Sequence, residues 1–300
     1  MKTIERIAAV ILTQFALLAI GHEDPEGDHA PDLKSTKTGF RLLFNRDIAN
    51  NPYDTTIERI YDPSLAILEE RQLSETEILD DTQSYRRWRI YSGGSWYFLE
   101  KGIQHQPWIT VYRPNGEIEI LRPKWPVNVG HSAGFSIADD ILVISCNENG
   151  PEDGDPYGIP PEDEGEFLMV AFSLKDLSYI STLRLGRPSR IYSFPVSSEV
   201  ISTNSKFYLG WVRRNPREAD KWGFDLVVSE WNPRDSTHKH HVVEKYTTPN
   251  GGISIDTYAN QVFLAFQQQE APFERASIQI RKLNIKEGDE RDSGLKGLQP

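Results

Sequence analysis

The chain has 300 residues, and its 33 Lys and Arg against 44 Asp and Glu give a formal charge of −11, a field that excludes nucleic acid and anionic lipid as expected partners. Cys146 is the only cysteine, so an intrachain disulfide is excluded and stability has to come from packing. The length suits a single all-β barrel, sandwich or propeller with a sizeable core.

Residues 1–21 read as an export signal. Lys2 and Arg6 start it, an apolar run from Ile7 to Ile20 follows, and Ala19-Ile20-Gly21 supplies small residues ahead of a peptidase cut. The run falls short of the roughly 20 residues of a spanning helix. The expectation is cleavage after Gly21, a secreted or periplasmic bacterial protein, and no membrane-spanning segment once the signal is gone. Residues 22–38, HEDPEGDHAPDLKSTKT, are polar and aperiodic and read as a disordered arm. Residues 287–300 read in the same way as a flexible tail.

Between these ends, residues 39–286 show short apolar runs rich in Val, Ile, Phe, Tyr and Trp, broken by Asn, Asp, Gly and Pro, which is the pattern of an all-β domain. The best helical stretch, Leu65 to Leu79, also reads as a strand. Four segments align as a strand, a polar turn and an apolar strand: IYSGGSWYFLEK from Ile90, FSIADDILVISC from Phe135, FPVSSEVISTNSKFYLGWVR from Phe194, and ISIDTYANQVFLAFQQ from Ile253. Each leads into a second pair, starting at Trp108, Phe167, Phe224 and Ala276, with turn chemistry at Asn115-Gly116, Lys175-Asp176 and Asn232-Pro233. A unit of four antiparallel strands recurring in this way is a propeller blade. A fifth unit threads through Phe40, Thr56, Ser64 and Glu75, so the expectation is a β-propeller of about five four-stranded blades, with a β-sandwich as the alternative.

The Ile253 segment, with Ser254, Asp256, Asn260 and then VFLAFQQ, resembles the inner hairpin of bacterial secreted propellers of the sialidase-like and glycosidase type. The resemblance spans residues 85–286 and rests on blade grammar; the Asp-box turn of sialidases, Ser-x-Asp-x-Gly-x-x-Trp, does not occur. Tyr61-Asp62-Pro63-Ser64 is similar to the first carboxylate motif of five-bladed glycosidases. What the resemblance implies is a glycan-related propeller.

Propellers work where inner strands and their entry loops converge. The repeat alignment puts Arg89, Tyr91, His131, Arg190, Tyr192, Ser254 and Asp256 there, a set suited to a polar small molecule, a glycan or a protein partner. The alternative is a glycoside hydrolase-like enzyme using Asp62, Asp139 or Asp256 as acid and base. Gly130-His131-Ser132-Ala133-Gly134 has the spacing of a nucleophile elbow, with Asp225 and His238, His240 or His241 downstream, but that motif needs a following helix. Asp153, Asp155 and Glu164 in the acidic stretch 147–166 have the spacing of a Ca²⁺ loop. His238 and His240 share one face of a predicted strand, where Zn²⁺ or Cu²⁺ chelation competes with a plain solvated surface. Among the tryptophans, Trp96, Trp108 and Trp211 lie in apolar strands and are expected in the core, while Trp88, Trp125 and Trp222 are the expected binders.

Overall fold

The computed structural model of the chain describes residues 28–46, 55–74, 77, 89–102, 105–127, 129–148, 166–186, 197–214, 224–246, 253–268 and 276–283. The export signal and the 287–300 tail lie outside these residues. The described chain is built of strands β1 (Asp28–Thr36), β2 (Gly39–Arg46), β3 (Thr55–Tyr61), β4 (Ile67–Gln72), β5 (Arg89–Ser92), β6 (Ser95–Gly102), β7 (His105–Tyr112) and β8 (Ile118–Leu121). There follow β9 (Val129–Ala138), β10 (Ile141–Glu148), β11 (Phe167–Ser173), β12 (Tyr179–Gly186), β13 (Ser197–Thr203), β14 (Lys206–Arg214), β15 (Phe224–Asn232) and β16 (Thr237–Tyr246). The last three are β17 (Ile253–Tyr258), β18 (Gln261–Gln268) and β19 (Ser277–Lys282).

These strands form five antiparallel sheets in which sequence neighbours pair: β1–β4, β5–β8, β9–β12, β13–β16 and the three-stranded β17–β19, here blades 1 to 5. Successive side chains along a strand point to opposite faces, so each blade has two faces to bury. Four apolar clusters do this, and each joins two blades. Leu99, Ile109 and Val111 meet Leu142, Ile144 and Phe172 between blades 2 and 3. Val143 and Met169 meet Phe207, Trp211 and Trp231 between blades 3 and 4. Tyr208, Leu226 and Val228 meet Ile255, Leu264 and Phe266 between blades 4 and 5. Phe263, Ala265 and Ile278 meet Leu33, Phe40, Leu42 and Phe44, which returns the last blade to the first. Five sheets packed face to face in the series 2–3–4–5–1, the last meeting the first, are the blades of a five-bladed β-propeller and not the two stacked sheets of a sandwich; among the described residues no apolar cluster joins blades 1 and 2.

Two turn types repeat around the ring. The hairpin between first and second strands carries a positive-φ pair at Gly93-Gly94 (54° and 80°), Asp139-Asp140 (46° and 60°), Asn204-Ser205 (50° and 61°) and Ala259-Asn260 (48° and 60°). Two such residues are what a type I′ turn requires, and Gly, Asn and Asp tolerate them at least cost. The turn between third and fourth strands is closed by an Asx side chain in each four-stranded blade. Asp62 accepts the Ser64 N–H at 2.8 Å and hydroxyl at 2.7 Å, Asp176 accepts those of Ser178 at 3.1 and 2.7 Å, and Asp235 those of Thr237 at 2.9 and 2.6 Å. In blade 2, Asn115 accepts the Glu117 N–H at 3.0 Å. The hydroxyl donors hold all three Asp carboxyls below the ordinary carboxylate range. The motif D-x-[ST] is thus a repeat mark of this chain.

Two sequence expectations change. Asp28–Thr36, read as part of the arm, is β1, the inner strand of blade 1. Leu33 is its one buried large apolar side chain, so it has too little apolar periodicity to be seen as a strand. Residues 67–72 of the helical candidate are the outer strand β4, and they are exposed along their length. Blade 1 therefore takes its fourth strand there rather than from residues 75–79.

On the face of blade 4 that packs on blade 5, an ionic cluster forms beside Tyr208. Glu230 is buried, Lys206 Nζ lies 2.5 Å from one carboxylate oxygen and His241 Nε2 lies 3.5 Å from the other. His241 and then Lys206 hold the Glu230 carboxyl down to about 2, while burial pushes the neighbouring Tyr208 phenol up. A carboxyl lowered on folding stabilises above its unfolded value, and that contribution drains away as the pH falls. The denaturant midpoint is therefore expected to fall between about pH 4.5 and 2 in part through this group. Glu230→Gln should flatten that share of the profile, measured by urea unfolding across the range; an unchanged acid profile would remove Glu230 from the account.

Candidate functional site

The expected site residues fall on inner strands. Arg89 and Tyr91 are on β5, His131 is on β9, and Ser254 and Asp256 are on β17. Arg190 and Tyr192 lie outside the described residues, as do Asp153, Asp155 and Glu164 of the expected Ca²⁺ loop. At the root of that loop Arg184 on β12 clamps Glu148 at 2.7 Å and Glu166 at 2.6 Å. Among the described residues, no group of three or more His, Cys, Asp or Glu side chains is placed to hold a metal.

Ser254 and Asp256 point to blade 1. The buried Ser254 Oγ accepts the Leu33 N–H at 2.9 Å, and Asp256 accepts the Ser35 N–H at 2.6 Å through Oδ2 and the Thr257 N–H at 2.7 Å through Oδ1. Two side chains of the last inner strand thus occupy backbone donors of the first, in the place of a ladder that neighbouring inner strands do not form. Comparable links join the next blades: Ser136 donates to Ser202 at 3.2 Å, Thr203 to Asn260 at 3.3 Å, and Ser205 to Asp139.

The three carboxylates expected as acid and base each accept hydrogen bonds within the fold. Asp62 closes a turn between outer strands, and Asp139 sits in a hairpin turn where its carboxylate holds Ser205 and its carbonyl accepts from Arg234 at 2.7 Å. Asp256 holds the ring shut. The nucleophile-elbow spacing is also explained: residues 130–134 lie wholly within β9, which continues to Ala138 and turns into β10 with no helix following.

Blade 2 carries an arrangement that strand spacing alone did not disclose. Register aligns Tyr91 with Trp96, Trp96 with Tyr112, and Tyr112 with Ile118, one row across all four strands. Their neighbours in the chain, Tyr97, Leu99, Ile109 and Val111, pack on blade 3, so by alternation this row stands on the opposite face. It is open to solvent: Tyr91 is 61% exposed, Trp96 43%, Tyr112 44% and Ile118 60%. The rings support one another, with centroids of Tyr91 and Trp96 at 5.1 Å and of Phe98 and Tyr112 at 5.2 Å. The Arg89 guanidinium lies over Trp96, 5.8 Å from its centroid, and that of Arg122 over Trp108 at 4.8 Å.

The tryptophan expectations divide on this. Trp211 is buried as expected, but Trp96, expected in the core, is exposed. Trp125, expected to bind, is buried with its indole N–H donating to the Pro107 carbonyl at 3.1 Å and its ring edge-on to Phe172 at 5.1 Å. The sequence signal was misleading in both: Pro and charged neighbours disguised a core position, and an apolar strand disguised a surface one. Trp88 and Trp222 lie outside the described residues.

No family model matches this chain, and no curated protein matches it. Among solved structures it is similar to the GH43_1 enzyme from Xanthomonas citri, crystallised with xylose, at 12% identity and a TM-score of 0.39, covering 91% of this chain and 93% of that one. An exo-1,5-α-L-arabinanase from a bovine ruminal metagenomic library gives 11% identity and a TM-score of 0.41, over 88% and 96% of the two chains. The acylaminoacyl peptidase of Pyrococcus horikoshii gives 11% and 0.42, over 86% of this chain and 39% of that one. The assignment to the five-bladed propellers rests on the chain's own five sheets and on the packing of its last blade against its first.

Proposed function

We propose that this propeller is a binding protein for a polar ligand, of which a glycan is the best match, and that blade 2 supplies the contact. The observation that carries the reading is the exposed row Tyr91–Trp96–Tyr112 with Arg89 beside it. Aromatic faces stack on the apolar faces of sugar rings, and a guanidinium offers a fork of donors to hydroxyl or carboxylate oxygens. A contiguous exposed row of this kind on a folded blade suits an interaction surface. Tyr91 and Arg89 belong to the inner strand, so the strip runs outward from the centre of the ring. Binding without hydrolysis is favoured because Asp62, Asp139 and Asp256 are each committed to hydrogen bonds within the fold.

Capture on a glycan array, followed by titration of the ligand found, tests this. Tyr91→Ala and Trp96→Ala are each expected to weaken binding by roughly tenfold, the equivalent of the upper range for one aromatic contact, with circular dichroism unchanged. Aryl glycosides and polysaccharides offered as substrates are expected to show no turnover. Retained affinity in the double variant would overturn the site, and saturable hydrolysis would overturn the binding role.

A further inference from the structure

The face of blade 2 that carries the aromatic row extends two rows further along its strands. Register sets Phe98 opposite Thr110 and Thr110 opposite Ile120, and then Glu100 opposite Trp108. Directly opposed residues share a face, so Trp108 stands on the side of Trp96 and Tyr112. It lies four residues from Tyr112 along β7, roughly 14 Å at the usual rise of a strand. Arg122, one residue past β8, lays its guanidinium over Trp108 with 4.8 Å to the ring centroid. The face is thus longer than one sugar ring, with a guanidinium on the indole at each end.

The charge of this face runs against that of the chain. Across the protein 44 acidic side chains outnumber 33 basic ones, yet the described residues of this face carry Arg89 and Arg122 against one carboxylate, Glu100. Arg122 also differs from its peers in what it does with its charge. Arg59, Arg71, Arg113 and Arg184 each meet a glutamate. Arg122 is exposed, has no carboxylate partner among the described residues, and lies over the indole instead. An arginine stacked by its flat side keeps the N–H edge of its fork turned outward, and that edge fits the two oxygens of one carboxylate. Trp108 holds the fork in place, which reduces the entropy a long side chain gives up on pairing.

We propose that the ligand of blade 2 is an acidic oligosaccharide, with sugar rings stacked on Tyr91, Trp96 and Tyr112 and a ring carboxylate received by Arg122. The inference rests on the glycan reading above and adds the charge and the length of the ligand. A neutral sugar would use the aromatic row and leave the positive end of the face without a complement, whereas a carboxylate-bearing chain uses both. Trp108, its ring already covered by the guanidinium, is the positioning residue for Arg122.

The test is calorimetric titration of the full chain with tetragalacturonate and with its fully methyl-esterified form, which keeps the sugar chain and removes its charge. The acid is expected to bind about fivefold tighter, the upper range for an exposed ion pair. That preference should shrink as ionic strength rises to about 1 M, where the screening length falls to about 3 Å. Arg122→Gln should bring the ratio of the two affinities close to one, and Arg122→Lys should keep part of it, as a charge without the fork. Trp108→Ala should lower the ratio by loosening Arg122. Digalacturonate is expected to bind more weakly than the tetramer, since it does not reach from the row to Arg122. Circular dichroism checks that the Arg122 variants keep the fold. Equal affinity for acid and ester in wild type, or a preference that survives Arg122→Gln, overturns the acidic ligand, as does no binding of either form at millimolar concentration. The two readings fail differently. Wild-type affinity of Trp96→Ala for both forms would remove the row itself, whereas a wild-type ratio near one, with Trp96→Ala weakened on both, would remove the charge assignment and leave the row standing.

Discussion

Replacing Trp231 with Ala is expected to lower the unfolding free energy by about 3–5 kcal/mol, whereas the same change at Trp96 is expected to shift it by only about 0.5 kcal/mol. The two residues have one chemistry and opposite surroundings. Trp231 is 1% exposed and packs with Trp211, Phe207 and Met169 in the cluster between blades 3 and 4, where a deleted indole leaves a hole that closely packed neighbours fill only in part. Trp96 stands on the open row of blade 2, where truncation removes little that was shielded from water. Urea unfolding of both variants measures the contrast. Equal losses would mean that blade 2's row is packed against another surface in solution, and the proposed ligand contact would lose its basis.

Removing both clasp side chains, Ser254→Ala with Asp256→Ala, is expected to destabilise the ring strongly, since each buried backbone donor left without a partner costs about 1–3 kcal/mol. The donors affected are the N–H groups of Leu33 and Ser35. Native-state hydrogen exchange should show the loss first as reduced protection of β1 and β17. Ligand capture by the folded variant should match wild type, because neither side chain belongs to the row on blade 2. A variant of wild-type stability that no longer captures ligand would return both residues to the binding site.

Most of the ring was legible in the chain itself. The inner hairpins of blades 3, 4 and 5 announced themselves because each packs on two blades and so has a dense apolar second strand: LVISC in β10, FYLGW in β14 and VFLAF in β18 lie almost entirely out of solvent. β1 was illegible for the complementary reason. An inner strand that lines the axis and is held by side-chain acceptors from its neighbour needs few apolar residues, and DHAPDLKST reads as an arm. Site reading went wrong where one residue type serves two purposes. Ser254 and Asp256 have the chemistry of ligand contacts, and only the placement of β17 beside β1 shows them holding backbone donors. The row on blade 2 requires the pairing of four strands before its members become neighbours, and local sequence does not contain that pairing.

The closing bonds of the ring join residues 221 positions apart, from Leu33 to Ser254 and from Ser35 to Asp256. That separation sets an order of events during synthesis. The acceptors of β1 are made 221 residues after it, so blades 2, 3 and 4 are free to build their shared cores while the first inner strand still waits for them. Contacts of such long range repay the entropy of closing the loop only at the end, which makes ring closure the slow step of folding. A nascent chain halted before β17 is then a stack of finished blades with an unlatched first one, and a protease acting on such arrested chains should cut near β1 well before it cuts the cores behind it.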